Sequence, residues 1–253
     1  MKRYLTLITV SILHLIAATG NAQDNVMPNR VAEADKPFLL TYPDLDDPDG
    51  KVILSNDHVV LQRLVVPAGK WEGIHSHPGN QIYVHIQGGE WSGRLGGEIE
   101  YWGIVDEDGA VGWMDAIPLS AGHESGNTGN TPIDLIYVTL KDDAPIAPDI
   151  EHVPQTYPNI SPELLLENDL LIVQRVQIEP GQWTGIHGHP GNQVYIQIKG
   201  GNLAERRNGD QSSPPSSLEA GSVGWMDAYE LDEAHEVGNA GDTTIEMVLV
   251  TIK

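Results

Sequence analysis

The chain has 253 residues, enough for two small domains or one large one, and its 40% hydrophobic and 20% charged content excludes a disordered polymer. A formal net charge of −22 argues against nucleic acid or anionic lipid as a partner. With no cysteine, the chain has no disulfides, no thiolate metal ligands and no lipid-anchored N-terminal cysteine.

In chain order, Met1-Lys2-Arg3 is a basic start and Tyr4 to Ala18 an apolar run too short for a comfortable membrane span. Gly20-Asn21-Ala22 supplies the small residues of a cleavage site. Residues 1–22 therefore read as a secretory signal peptide, which makes the mature chain periplasmic or secreted and free of the membrane once cut. Removing Lys2 and Arg3 takes the net charge from −22 to −24, because residues 1–22 hold no acid. A surface of that charge suits solubility in an extracytoplasmic medium.

After an N-terminal extension, 23–40, the chain repeats itself at an offset of 112 residues. Gly69 to Gln81 aligns with Gly181 to Gln193, and 14 of the 21 positions from 69 to 89 are identical to their partners. Val111 to Ala116 matches Val223 to Ala228, His123-Glu124 matches His235-Glu236, and Gln62-Arg63 matches Gln174-Arg175. Two domains follow, 41–141 and 157–253, joined by a Pro- and Asp-rich linker, 142–156. Strands are predicted at Val59–Val66, Gln81–Gln87 and Ile133–Leu140, and again at Leu171–Ile178, Gln193–Lys199 and Ile245–Ile252; Ser212 to Ser217 reads as a loop. Many short strands between glycine and proline turns make the fold all-β, a barrel or jelly roll in each half.

His75 and His77 stand at i and i+2, a natural chelating pair for a divalent ion on an extended segment. Alternation places Trp71, Gly73, Gln81, Tyr83 and His85 on the same face. His123, distant in sequence, recurs with the pair as His187, His189 and His235, so three of the chain's 10 histidines appear in duplicate at fixed spacing. One histidine in a strand is usually a packed polar group; this recurrence points to metal.

These residues resemble the motifs of the cupin superfamily. Gly69, His75, His77, Gln81 and Gly88 have the spacing of its first motif, His123 and Asn127 that of its second, and the second half repeats both. The resemblance implies two tandem cupin-type double-stranded β-helix (jelly-roll) barrels, a bicupin, with a metal site in each. The implied ligands are His75, His77, Gln81 and His123 in one half, and His187, His189, Gln193 and His235 in the other. Gln stands where the family usually has Glu, and the usual Pro-x-Gly before the last histidine is absent. Three imidazoles and an amide leave a 2+ charge uncompensated, which favours Lewis acidity. Such ligands suit Zn, Fe, Ni or Cu, up to two ions per chain, and suit Mn less well.

Around these sites each repeated residue has two readings. Tyr83 and Tyr195 are proton donors or barrel-filling aromatics. Asp115 and Asp227 are general bases or partners of a ligand histidine, or else turn residues. Arg63 and Arg175 clamp a substrate carboxylate or form salt bridges. Trp71 and Trp183 make a substrate-stacking wall, with Trp113 and Trp225, or ordinary core. His85, whose counterpart is Gln197, is an acid–base group of the first half alone. Cupins with three-histidine, one-glutamine sites act on unsaturated uronates or cyclise polyketides. The resemblance thus implies a metal-dependent lyase or isomerase moving a proton on a small oxygenated substrate, such as an unsaturated sugar acid. A cupin dioxygenase or oxidative decarboxylase is the alternative, and a non-catalytic metal- or sugar-binding protein the third class. The sequence leaves homo-oligomerisation open.

Overall fold

The computed structural model describes residues 32–141, 152–207, 210–211, 214–228 and 235–253; the signal peptide assigned to 1–22 lies outside the described residues. The first half contains β1 Lys51–Ser55, β2 Val59–Val66, β3 Gln81–Gln87, β4 Gly89–Leu95, β5 Glu98–Asp106, β6 Val111–Met114, β7 Glu124–Asn127 and β8 Ile133–Leu140. The second contains β9 Glu163–Glu167, β10 Leu171–Ile178, β11 Gln193–Lys199, β12 Gly201–Arg207, β13 Asp210–Gln211, β14 Ser216–Leu218, β15 Val223–Met226, β16 His235–Asn239 and β17 Ile245–Ile252. The six strands expected from sequence have their expected limits. The stretch read as a loop ends instead in β14, which pairs Ser216 with Leu203 and Leu218 with Gly201. Among the described residues no helix is long and apolar enough to cross a membrane.

All pairing between these strands is antiparallel. In the first half a sheet ordered β1-β2-β8-β3-β6 is closed over by β5-β4-β7; in the second, β15-β11-β17-β10-β9 is closed over by β13-β12-β14, with β16 on β12. Each half is a jelly-roll barrel. Trp91 from β4 reaches across to Leu64, Val66 and Leu135 in the first interior, as Leu203 and Val237 reach Val176, Ile178 and Leu249 in the second.

The long strands read as near-continuous apolar runs because both faces are buried. On β3 the odd residues Gln81, Tyr83 and His85 face the barrel interior. The even residues Ile82, Val84 and Ile86 face outward, into a cluster with Val194, Ile196 and Ile198 of β11 and with Val59, Leu61, Ile136, Val138, Leu171, Val173, Val248 and Val250. The largest apolar cluster of the protein is therefore shared between the barrels rather than enclosed by either. The contact is reciprocal: β1 lies against β15 and β9 against β6, with β3 against β11 between them. Reciprocity of this kind is the mark of a two-fold relation.

Each barrel is also crossed by a strap. Gln62 accepts from the Leu40 amide at 2.8 Å and donates to its carbonyl at 3.1 Å; Gln174 does the same for Gln155, at 2.7 and 3.0 Å. Gln155 was assigned to the linker, but it is 3% exposed and bonds Gly188, so the second barrel's structure begins before 157. In the N-terminal extension, Asp35 is buried, bonded to Lys141 at 2.6 Å and to Ser55 at 2.6 Å. The straps run close over Gly73 (φ 80°) and Gly185 (φ 81°), where an added Cβ would come within 2.8 Å of Pro43 or Pro158. Glycine is required there twice, by the left-handed backbone and by the proline above it.

Candidate metal centres

His75 and His77 lie just before β3 in extended backbone. His75 is bridged to His123 at the mouth of β7, and His77 to Ile117 beyond β6. These three segments bring one nitrogen each from His75, His77 and His123 to within 4.8 Å of one another; His187, His189 and His235 do the same in the second barrel. His75 Nδ1 contacts the Gly73 carbonyl at 2.9 Å, and His77 Nδ1 contacts Gln81 Oε1 at 2.9 Å. Both acceptors can only accept, so each Nδ1 carries the proton and each Nε2 presents a bare lone pair. Those two Nε2 atoms face one another at 3.1 Å. Protonation is not the remedy: burial above all pushes His75 down to about 4, and burial followed by the His75 charge pushes His77 down to about 3. Two lone pairs at this separation suit a shared cation, since ligands about 2.0–2.1 Å from a tetrahedral zinc lie roughly 3.3 Å apart. The first triad therefore fits a divalent ion.

The second triad is built alike. His187 Nδ1 donates to Gly185 O at 2.9 Å, His189 and His235 approach Nε2 to Nε2 at 3.3 Å, and His235 Nδ1 donates to Glu205 Oε1 at 3.0 Å. Burial lowers His187 to about 4 and, with His235, His189 to about 3. A carboxylate behind a ligand histidine fixes its tautomer and makes it a better donor. Gln193 Oε1 is buried and has no hydrogen-bond partner among the described residues, as befits an oxygen reserved for an ion.

The surroundings of the two triads differ. Beside the first lies a cavity lined in part by Glu72, Tyr83, His85, Ser125 and Tyr137. At the matching positions the second barrel has Thr184, Gln197 and Leu249 for Glu72, His85 and Tyr137. Glu72 is 3% exposed, and its Oε2 lies 3.6 Å from His75 Nε2 with no hydrogen bond of its own. Burial, then the Glu124 charge, raises Glu72 to about 8. His85 is buried with Nε2 3.4 Å from Asp106 Oδ2, which also accepts from Trp91 Nε1 at 2.8 Å. The His85 contact, ahead of the Trp91 bond, keeps Asp106 below the usual carboxyl range.

Several residues singled out by repetition stand apart from the triads. Asp115 and Asp227 are exposed, and each accepts from the indole two residues earlier, Trp113 and Trp225, at 2.8 Å. Trp113 and Trp225 point to the shared outer core, so alternation carries the aspartates outward as well; the turn-residue reading replaces the general-base one. Arg63 grips Asp134 through Nε at 2.9 Å and Nη2 at 2.6 Å and sits on the Gly221 turn of the other barrel. Arg175 pairs with Glu163 at 3.0 Å and Glu246 at 3.5 Å and donates to Gly109 O at 3.2 Å. Both arginines form the salt bridges of their second reading and reach the other barrel, and neither lines the first cavity as a substrate clamp would. Trp71 and Trp183 are half-buried against Gly126 and Gly238, with Arg94 and Arg206 over their rings at 4.0 and 3.6 Å, so one ring face of each is already covered. Tyr83 lines the first cavity, and Tyr195 packs in the second interior; burial raises both.

Sequence reasoning missed Tyr42 and Tyr157, whose rings stand edge-on to His75 and His187 at 5.1 and 4.5 Å. Thr41-Tyr42-Pro43 and Thr156-Tyr157-Pro158 repeat at an offset of 115 rather than 112, and the three-residue slip hides them. It also missed Glu72, which has no counterpart to announce it.

No family model matches the chain, and no curated protein matches it in sequence. Solved structures do match. A cupin 2 conserved barrel domain protein from Leptotrichia buccalis is 15% identical over 80% of this chain and 88% of its own, with a TM-score of 0.45. AerE from Microcystis aeruginosa aligns at 16% identity over 86% of this chain and 99% of its own, with a TM-score of 0.52. A salicylate 1,2-dioxygenase from Pseudaminobacter salicylatoxidans aligns at 11% over 82% and 74%, also at 0.52. The two barrels each gather their motif histidines into one cluster. The chain has a bicupin fold. In this bicupin the two candidate centres are alike in their histidines and unlike at the positions of Glu72, His85 and Tyr137.

Proposed function

We propose that this bicupin is an exported, metal-dependent enzyme whose working site is the first barrel, and that it moves a proton on a small oxygenated substrate in a lyase or isomerase reaction. The observation that carries the reading is the first cavity, lined by His85, Tyr83, Tyr137 and Glu72, with Asp106 against His85 at 3.4 Å and the triad reached through Glu72, 3.6 Å from His75 Nε2. A divalent ion held by the triad supplies Lewis acidity toward a carbonyl or hydroxyl oxygen. The chain supplies the rest. Asp106 orients His85 through Nε2, and His85 Nδ1, which has no partner among the described residues, exchanges the substrate proton. Tyr83 and Tyr137 line the same space, while Val66, Ile133 and Leu135 keep it apolar. An unsaturated sugar acid is one such substrate. With Arg63 and Arg175 engaged between barrels, no arginine lines the cavity, which favours a substrate whose reacting end is uncharged.

The test is solvent-deuterium exchange into unsaturated uronates and small hydroxycarbonyl compounds, followed by NMR, with metal content measured in parallel. Exchange that falls about 100-fold or more in His85→Gln, at unchanged metal content, supports the reading. Undiminished exchange in that variant overturns it. The likeness to a salicylate 1,2-dioxygenase supports a second reading, dioxygenase chemistry. Oxygen uptake by the Fe(II)-loaded protein with a hydroxylated aromatic acid, without proton exchange on any of the compounds, would put it first.

A further inference from the structure

The fourth oxygen donor differs between the two centres. In the second barrel Gln193 leaves Oε1 without a partner, while its Nε2 donates to Thr251 Oγ1 at 3.0 Å. In the first, the equivalent Gln81 Oε1 is already taken by His77 Nδ1 at 2.9 Å. Among the described residues the unpartnered buried side-chain oxygens there are the Tyr42 hydroxyl and Oε2 of Glu72, and only Glu72, on the segment leading to His75, offers a carboxylate. Its backbone is fixed from both sides, donating to Ser125 O at 2.9 Å and accepting from the Asp44 amide at 3.2 Å, so the carboxyl is delivered to the interior by the strap and β7 together.

We infer that Glu72, and not Gln81, is the oxygen ligand of the first centre, so that the bicupin carries one carboxylate-bearing and one carboxylate-free metal site. Glu72 Oε2 lies 3.6 Å from His75 Nε2, too long for a hydrogen bond but close to the roughly 3.3 Å separating two ligands of one tetrahedral ion. A buried carboxyl oxygen with no hydrogen bond and no cationic side chain beside it among the described residues is costly unless an ion completes it. Gln81 then does for His77 what Glu205 does for His235: it holds the Nδ1 proton and aims the ring. With a divalent ion the first centre has a net charge of +1 and the second +2. Carboxylate ligation widens the first centre's range toward harder ions such as Mn(II), whereas the second keeps to ions that favour imidazole. This inference rests on the metal reading of the triads but not on the proposed reaction, because its readout needs no substrate.

The experiment uses the mature chain with the second triad disabled by His187→Ala and His189→Ala, and measures zinc affinity by chelator competition. Glu72→Gln, which keeps the shape and removes the charge, is expected to weaken binding by at least about tenfold. Glu72→Asp, which keeps the charge but withdraws it by one methylene, is expected to weaken binding similarly. Thermal melting of the metal-free variants checks the fold; Glu72→Gln removes a buried carboxyl that lacks a partner, so its metal-free form is expected to melt no lower than the parent. Affinity within threefold of the parent in Glu72→Gln overturns the assignment. Full affinity in Glu72→Asp overturns direct ligation in favour of a general field effect. A parent with no zinc affinity would sink the metal reading itself, a result distinct from either.

Discussion

Because the main apolar cluster is shared, damage to it should be felt by both barrels at once. Ile82 is fully buried at the centre of that cluster, on β3 and against β11. Ile82→Ala removes three carbons at about 0.8 kcal/mol each and leaves a cavity that rigid strands on both sides cannot close, so the expected cost is about 3–4 kcal/mol. At a urea dependence of about 2–3 kcal/mol per molar, the midpoint should fall by roughly 1–2 M. The transition should remain single, read equally by far-UV dichroism and by the fluorescence of Trp113 and Trp225, which border the cluster. A two-step curve, with one half melting early and the other at the parent midpoint, would refute the shared core.

Elsewhere the expectations are simpler. His75→Ala and His187→Ala should each lower the metal content by about one ion per chain, read by elemental analysis of the purified protein. Arg63→Ala strands the Asp134 carboxylate at the barrel boundary and should cost about 1–2 kcal/mol in urea denaturation without changing metal content; an unchanged midpoint would return that arginine to the list of substrate groups. The metal-free protein should have two pH limbs. His75, His77, His187 and His189 are held at about 4, 3, 4 and 3 against 6.5, so the unfolded chain takes up protons the fold refuses, and stability falls as pH drops below about 6.5. Glu72 works in the opposite sense: held at about 8 against 4.5, it keeps a proton the unfolded chain has released, so its contribution is lost as pH rises from about 4.5 to 8. Melting temperatures of chelator-treated protein across this range check both, and Glu72→Gln should abolish the second limb alone.

The repeat made the six principal strands legible because their two buried faces produce unbroken apolar runs between turn residues. It made the triads legible because the same histidines recur at one spacing. The same argument left Arg63, Arg175, Asp115 and Asp227 with two readings each. Repetition preserves whatever both halves need, and a reciprocal interface needs matched residues as much as a metal site does. Strand parity separates the classes: Trp113 pairs with Ile82 across β6 and β3, so Asp115, two residues on, lies outside the barrel with it. Glu72 escaped notice for the complementary reason, since Thr184 faces it in the alignment and repetition is blind to what only one half has.

The reciprocal seam between the barrels also has a bearing on what each half is free to become. Two identical chains meeting across such a seam must present the same residue at every position of both sites, so any change that sharpens one alters the other. Joined in a single polypeptide, the halves keep the seam that stabilises them and are released from that identity. Glu72 opposite Thr184, His85 opposite Gln197 and Tyr137 opposite Leu249 are differences that only a covalent pair can hold, and all three sit inside the barrels, where the seam does not reach.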